Sequence, residues 1–265
     1  MNQQPKPTIR IFHNLARSGG TLIGKCLGCM EEIALLSEIH PDSQRALSFN
    51  AVRQAQQWLD FDPTVEWKKT AFIEAIHQIN EHCQKLNKTL ILRDWSHVDY
   101  FGFPVTNTPQ HSSSLIHCLE PHFDILSIQL IRHPIDTWES MKKLNLVKRA
   151  NLSIHDFMLG YSSYIKQTGS ECQLFYEIFL QQPDAELKRI CQALKCTYDP
   201  NFKNKWHSYS NITGDQSSQS SLRKSLKIEP RKPKKIDLQT LQGFAENPEY
   251  SRLLKEFPHF DVIKC

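Results

Sequence analysis

Five short apolar runs punctuate the chain, and the stretches after them change to a helical period. The runs are residues 8–15 (TIRIFHNL), 33–41 (IALLSEIHP), 88–95 (KTLILRDW), 123–132 (FDILSIQLIR) and 171–180 (ECQLFYEIFL). Each has the length and the β-branched or aromatic content of a buried strand. After the first run, Leu22, Ile23, Cys26, Leu27 and Met30 fall on one face of a helix that starts near Thr21. Residues 43–86 read as two or three helical pieces broken at Pro63, a helix opens at Pro134, and residues 153–168 are helical. Residues 183–196 form an amphipathic helix with Leu187, Ile190, Cys191 and Leu194 on one face, and a last helix is expected near 246–256. The polar stretches 96–114 and 210–225 read as a long loop and a mobile loop. This alternation predicts an α/β fold, a three-layer sandwich around a central parallel sheet of about five strands. One domain over residues 1–265 is expected, with 43–86 as a helical insertion on the substrate side. Ligands of such sheets bind at the carboxyl ends of the strands. Attention therefore falls on residues 17–21, Glu38, residues 93–97, residues 132–140, Tyr176 and Glu177.

The segment ARSGGTLIGKC (residues 16–26) admits two registers. From Gly19 it is G-x-x-x-x-G-K, an ATP-type loop with Cys26 where a hydroxyl should hold Mg²⁺, a hard cation that prefers oxygen. That register also removes Leu22 and Ile23 from the apolar stripe. From Arg17 the segment is R-S-G-G-T, and the helix starts at about Gly20 or Thr21. Backbone N–H groups at that helix start face an anion, the glycines allow close approach, and Arg17 adds a fixed charge. Lys25 then falls on the helix. The stripe favours the second register.

A second constellation follows the fourth run. In LIRHPIDTWES, Arg132 ends the strand and Ser140 lies eight residues later, so a guanidinium and a hydroxyl can grip another phosphate. FHNLARSGGTLI, LIRHPIDTWES and LFYEIFLQQPDAELKRICQAL, in this order over residues 8–196, together resemble the sulfotransferases that use 3′-phosphoadenosine 5′-phosphosulfate (PAPS). Those enzymes carry a strand–loop–helix close to P-R-S-G-T-T-L, then R-x-P-x-D…S, then Y-E-D-L before an amphipathic helix. The resemblance implies a P-loop-like sulfotransferase fold in which Arg17, Ser18, Gly19, Gly20, Thr21 and Leu22 cradle the phosphosulfate. It further implies that Arg132 and Ser140 hold the 3′-phosphate and that Tyr176 lies by the nucleotide. No metal is implied. Ala16 stands where the family has Pro, Gly20 where it has Thr or Ser, and YEIF where it has Y-E-D-L. LKIEPRKPKK (residues 226–235) is similar to a basic segment that closes over the nucleotide in some members.

Sulfuryl transfer needs a base for the acceptor. In the branch that sulfates protein tyrosines, a catalytic Glu lies twenty-one residues after the loop Arg, and Glu38 lies twenty-one after Arg17. Asp94 and His97 are the further candidates. The cytosolic small-molecule branch has a Lys and, two residues on, a catalytic His at this strand end, where this chain has Arg93 and Trp95. Two rival readings stand beside this one. The first is an ATP-dependent kinase or NTPase using Gly19 to Lys25, with Asp94 as its metal ligand. The second is a non-catalytic binding protein of the same fold.

Composition narrows the partners. With 32 basic and 28 acidic residues the charge is too balanced to argue for nucleic acid. No stretch reaches the roughly 18–20 apolar residues of a membrane span. Eight dispersed cysteines and no apolar leader suggest a reducing, cytoplasmic setting. Cys26 and Cys29 form a C-x-x-C within the expected helix and read as structural thiols. The acceptor is expected to be a small molecule, a carbohydrate or a peptide, and the oligomeric state is unreadable.

Overall fold

The computed structural model describes residues 5–106, 108–167, 172–214, 227–230, 235–258 and 260. Five parallel strands form one sheet in the order β2-β3-β1-β4-β5. They are β1 (Thr8–Asn14), β2 (Ile33–Ile39), β3 (Thr89–Asp94), β4 (Asp124–Ile131) and β5 (Cys172–Phe175). The helices are α1 (Gly20–Gly28), α2 (Ala51–Trp58), α3 (Phe72–Lys85), α4 (His97–Phe101), α5 (Ser114–Leu119), α6 (Pro134–Lys143) and α7 (Leu146–Arg149). There follow α8 (Ile154–Ile165), α9 (Tyr176–Gln181), α10 (Pro183–Ala193), α11 (Phe202–Lys205), α12 (Leu238–Ala245) and α13 (Pro248–Glu256).

The strands bury both faces because their side chains alternate between two cores. Leu35 of β2 and Ile91 of β3 pack with Leu22, Ile23, Leu27, Leu187 and Ile190, beneath α1 and α10. Their neighbours Ala34, Leu36, Leu90 and Leu92 pack on the opposite face with Val52, Ile76, Ile79 and Leu115 of α2, α3 and α5. A third cluster, rich in rings, joins Phe101, Trp138, Phe157, Tyr161 and Tyr164 to Phe244 and Tyr250. This is the three-layer sandwich that the alternation of periods predicts.

Four local expectations change. Residues 96–114 are not one long loop. They open with the short helix α4, because the buried Asp99 carboxylate accepts from the Ser114 N–H at 2.9 Å and lies 3.1 Å from His40 Nε2. The run 171–180 is a strand only to Phe175; Tyr176 begins α9. The helix α12 has no counterpart in the sequence reading, while α13 is the helix expected near 246–256. The stretch 43–86 is helical in α2 and α3, which mainly pack against the sheet; among the described residues of this stretch, Phe49 alone lines the cavity described below. The expected mobile loop lies outside the described residues from 215 onward, as do residues 226 and 231–234 of the basic segment. No helix among the described residues is long and apolar enough to cross a membrane.

Candidate functional site

β1 is the middle strand. β3 and β2 lie to one side of it, β4 and β5 to the other. The carboxyl end of β1 therefore opens a crevice that residues from both sides can reach. A cavity of about 390 Å³ sits there, within the size range of small-molecule sites.

The loop after β1 builds the floor. Arg17 is left-handed at φ 64° and Gly19 at φ 105°, and α1 starts at Gly20. No side chain caps this helix end, and Gly19, Gly20 and Thr21 line the cavity, while the Leu22 N–H donates to the Gly19 carbonyl at 3.0 Å. Gly19 is required twice. Its φ disfavours any side chain, and a Cβ there would stand 2.3 Å from the Tyr176 ring. Gly20 abuts Asn14, whose amide carbon would lie 2.3 Å from an added Cβ. The space that a hydroxyl residue would use at position 20 is thus held by Asn14, which also lines the cavity. Ser18 is placed otherwise than expected. Its hydroxyl donates to the Leu15 carbonyl at 2.8 Å, and it does not line the cavity.

The ATP register does not match this geometry. Lys25 Nζ reaches the His207 carbonyl at 3.3 Å, and Cys26 is fully buried in the core below α1. Neither lines the cavity.

On the β4 side, Arg132 and Ser140 converge on the loop. Arg132 Nη1 donates to the Arg17 carbonyl at 2.8 Å, and Arg17 Nε donates to Ser140 Oγ at 3.2 Å. The Arg132 guanidinium lies over the Tyr176 ring, 4.9 Å from its centroid, so Tyr176 supports both the loop and the guanidinium. Glu177 accepts from the His133 N–H at 3.0 Å and fixes the β4–α6 turn; burial pushes its carboxyl pKa up. Arg132 Nε is buried and has no hydrogen-bond partner among the described residues. A buried guanidinium donor left open beside an uncapped helix start fits an anionic group.

On the β2–β3 side stands Glu38. The pairing of β2 with β3 slips between Ser37 and Ile39, and Glu38 is the extra residue, left-handed at φ 56°. Such a bulge re-aims a side chain, here into the cavity, and a left-handed non-glycine residue costs on the order of 1–3 kcal/mol. Its carboxylate lies 3.5 Å from Arg93 Nη2. Arg93 is almost wholly buried and is held by Ser37 Oγ at 2.7 Å and the Thr213 carbonyl at 3.0 Å. Burial pulls the Arg93 pKa down, and Glu38 opposes that shift.

The two other base candidates fare differently. Asp94 does not reach the cavity. It is fully buried, with Oδ2 2.7 Å from His13 Nδ1 and accepting from Ser96 Oγ at 2.8 Å, so it joins β1 to β3 instead of facing a ligand. His97 does line the cavity, its ring edge-on to Trp95 at 5.7 Å. Burial lowers its pKa to about 4, against the opposing pull of Glu38. It is therefore uncharged at neutral pH.

Sequence reasoning missed the remaining wall. Phe49 stacks on Trp95 with centroids 4.1 Å apart, and Phe103, Pro104, Leu144, Leu146 and Arg149 complete the rim. Phe49 falls in the stretch 43–86 expected on the substrate side and Phe103 and Pro104 in the stretch 96–114, but nothing in the sequence singled out these residues or Leu144, Leu146 and Arg149. Arg93 was legible as a charge closing an apolar strand.

No family model matches the sequence, and no curated protein matches it. Solved structures do match. The chain is similar to the sulfotransferase domain from the olefin synthase of Synechococcus PCC 7002, with TM-score 0.65 and 18% identity over 91% of this chain and 95% of that one. It is also similar to the sulfotransferase domain from the curacin biosynthetic pathway, with TM-score 0.66 and 16% identity over 96% of this chain and 99% of that one. The chain has the sulfotransferase fold.

Proposed function

We propose that the chain is an enzyme, a PAPS-dependent sulfotransferase acting on a hydroxyl or amine acceptor. One observation carries the reading. A single cavity joins an uncapped helix start, Arg17, Arg132 and Ser140 on one side to the bulged Glu38 on the other. The anion-binding side suits the donor's phosphate groups: Arg132 and Ser140 for the 3′-phosphate, Arg17 and the N–H groups of residues 19–21 for the phosphosulfate.

The chemistry follows from those positions. The acceptor oxygen or nitrogen attacks sulfur, and the bond from sulfur to the bridging phosphate oxygen breaks in line. The acceptor's proton passes to the Glu38 carboxylate. Charge that builds on the leaving phosphate oxygen meets Arg17, Thr21 and the first N–H groups of α1, which are already oriented. Arg93 holds Glu38 in place and is itself fixed by Ser37, Asn14 and Thr213.

The test is a panel of hydroxyl and amine acceptors incubated with PAPS and read by mass gain. Arg17→Ala is expected to abolish transfer. Glu38→Gln is expected to lower turnover by about 10²–10⁴-fold with donor affinity retained, the usual contribution of a general base. Unchanged turnover in Glu38→Gln would remove the base assignment.

A further inference from the structure

The wall facing Glu38 and His97 differs chemically from the anion-binding floor. Phe49, Trp95, Phe103, Leu144 and Leu146 line it, and they come from three separate parts of the chain. Leu144 is 41% exposed and Val105, beside Pro104, is 38% exposed; both are among the few large apolar side chains left in solvent. Such a surface disfavours a carbohydrate, whose hydroxyls would lose water without gaining partners. It favours an acceptor with an apolar body.

One charge interrupts this wall. Arg149, at the end of α7, lies with its guanidinium over the Phe103 ring, 5.1 Å from the centroid. This contact brings the end of α7 against Phe103, which follows α4, at the cavity's rim. Arg149 is exposed, and no carboxylate pairs with it among the described residues. Lys143 and Lys148 of the same corner are also exposed and lack a carboxylate partner among the described residues. The rim of an apolar slot therefore carries unneutralised positive charge. A guanidinium over a ring can still offer N–H donors to a carboxylate or phosphate.

Resting on the sulfotransferase reading, we propose that the acceptor is amphipathic. Its hydroxyl sits at Glu38, its aliphatic or aromatic body fills the slot, and an anionic group at its far end pairs with Arg149. Arg149 thereby sets acceptor specificity.

The test uses two matched probe sets with PAPS: ω-hydroxycarboxylates against α,ω-diols of equal length, and p-hydroxyphenyl carboxylic acids against their methyl esters. Initial rates give kcat/KM for each, and a titration with the desulfated nucleotide runs alongside. The wild-type chain is expected to favour the acids by about two- to fivefold, the worth of one exposed ion pair. Arg149→Ala is expected to bring that ratio to near one through KM, and Arg149→Lys to keep most of it. Nucleotide binding with no preference for acids, or with no probe sulfated, overturns this inference while the nucleotide site stands. Absence of nucleotide binding overturns the sulfotransferase reading, and this inference with it.

Discussion

Arg17 and Glu38 share an uncommon property: both are non-glycine residues with left-handed backbone. Strain of this kind persists where surrounding structure enforces it, and it clusters at functional sites. Here Arg132 grips the Arg17 carbonyl, and the β2 bulge turns Glu38 off the sheet edge. His97, between Glu38 and Trp95, gives a residue-scale test through its pKa of about 4, lowered from an ordinary 6.5 by burial. Between those two values the unfolded chain binds a proton that the folded chain does not. The stability due to neutral His97 is complete above pH 6.5 and is lost as pH falls toward 4. His97→Gln should therefore lose less stability than wild type between pH 7 and pH 5, by on the order of 2 kcal/mol, read from urea midpoints at both pH values. An equal loss in both proteins would mean that His97 titrates normally. Glu38 was legible through its distance from Arg17, but its bulge was not, since nothing in LLSEIH marks an extra residue. Spacing from Arg17 set Glu38 ahead of Asp94, which also ends an apolar strand, and the contact of Asp94 with His13 was hidden from the sequence.

At the scale of elements, the loop and α1 were the most legible part of the site. The apolar stripe through Leu22 and Ile23 fixed where the helix starts, and packing on the sheet bears this out. The pairing of Gly20 with Asn14 was hidden, because the strand-end amide and the glycine are neighbours only in space. The break of the fifth run at Tyr176 was hidden too. LFYEIFL is apolar throughout, and short apolar runs do not distinguish a strand from a helix turn. The structure assigns Gly19 the tightest constraint, with φ 105° and the Tyr176 ring 2.3 Å from an added Cβ. Gly19→Ala should cost about 1–3 kcal/mol, roughly 3–8 °C in Tm, and should displace Tyr176 from beneath Arg132. Thermal unfolding checks it, and a wild-type Tm would show that the loop relaxes without cost.

For the whole molecule, sheet order separates two functions at one crevice. The β4 and β5 ends bring Arg132 and Tyr176 to one side of the cavity, where the proposed function puts the donor's phosphates, and the β2 and β3 ends bring Glu38, Arg93, Trp95 and His97 to the other, where it puts the acceptor. The α1 start follows the middle strand and lies between them. The fold class was readable because strand and helix periods alternate along the chain. The acceptor wall was not, because its residues come from segments brought together only by the finished sheet. The central claim is that the β1 crevice binds the desulfated nucleotide 3′-phosphoadenosine 5′-phosphate, and calorimetric titration tests it most directly. Saturable one-site binding is expected, weakened by about 10–100-fold in Arg132→Ala, the worth of a charged hydrogen bond, and not matched by ATP with Mg²⁺. No binding of this nucleotide to the wild-type chain, or tighter binding of ATP with Mg²⁺, would contradict the account.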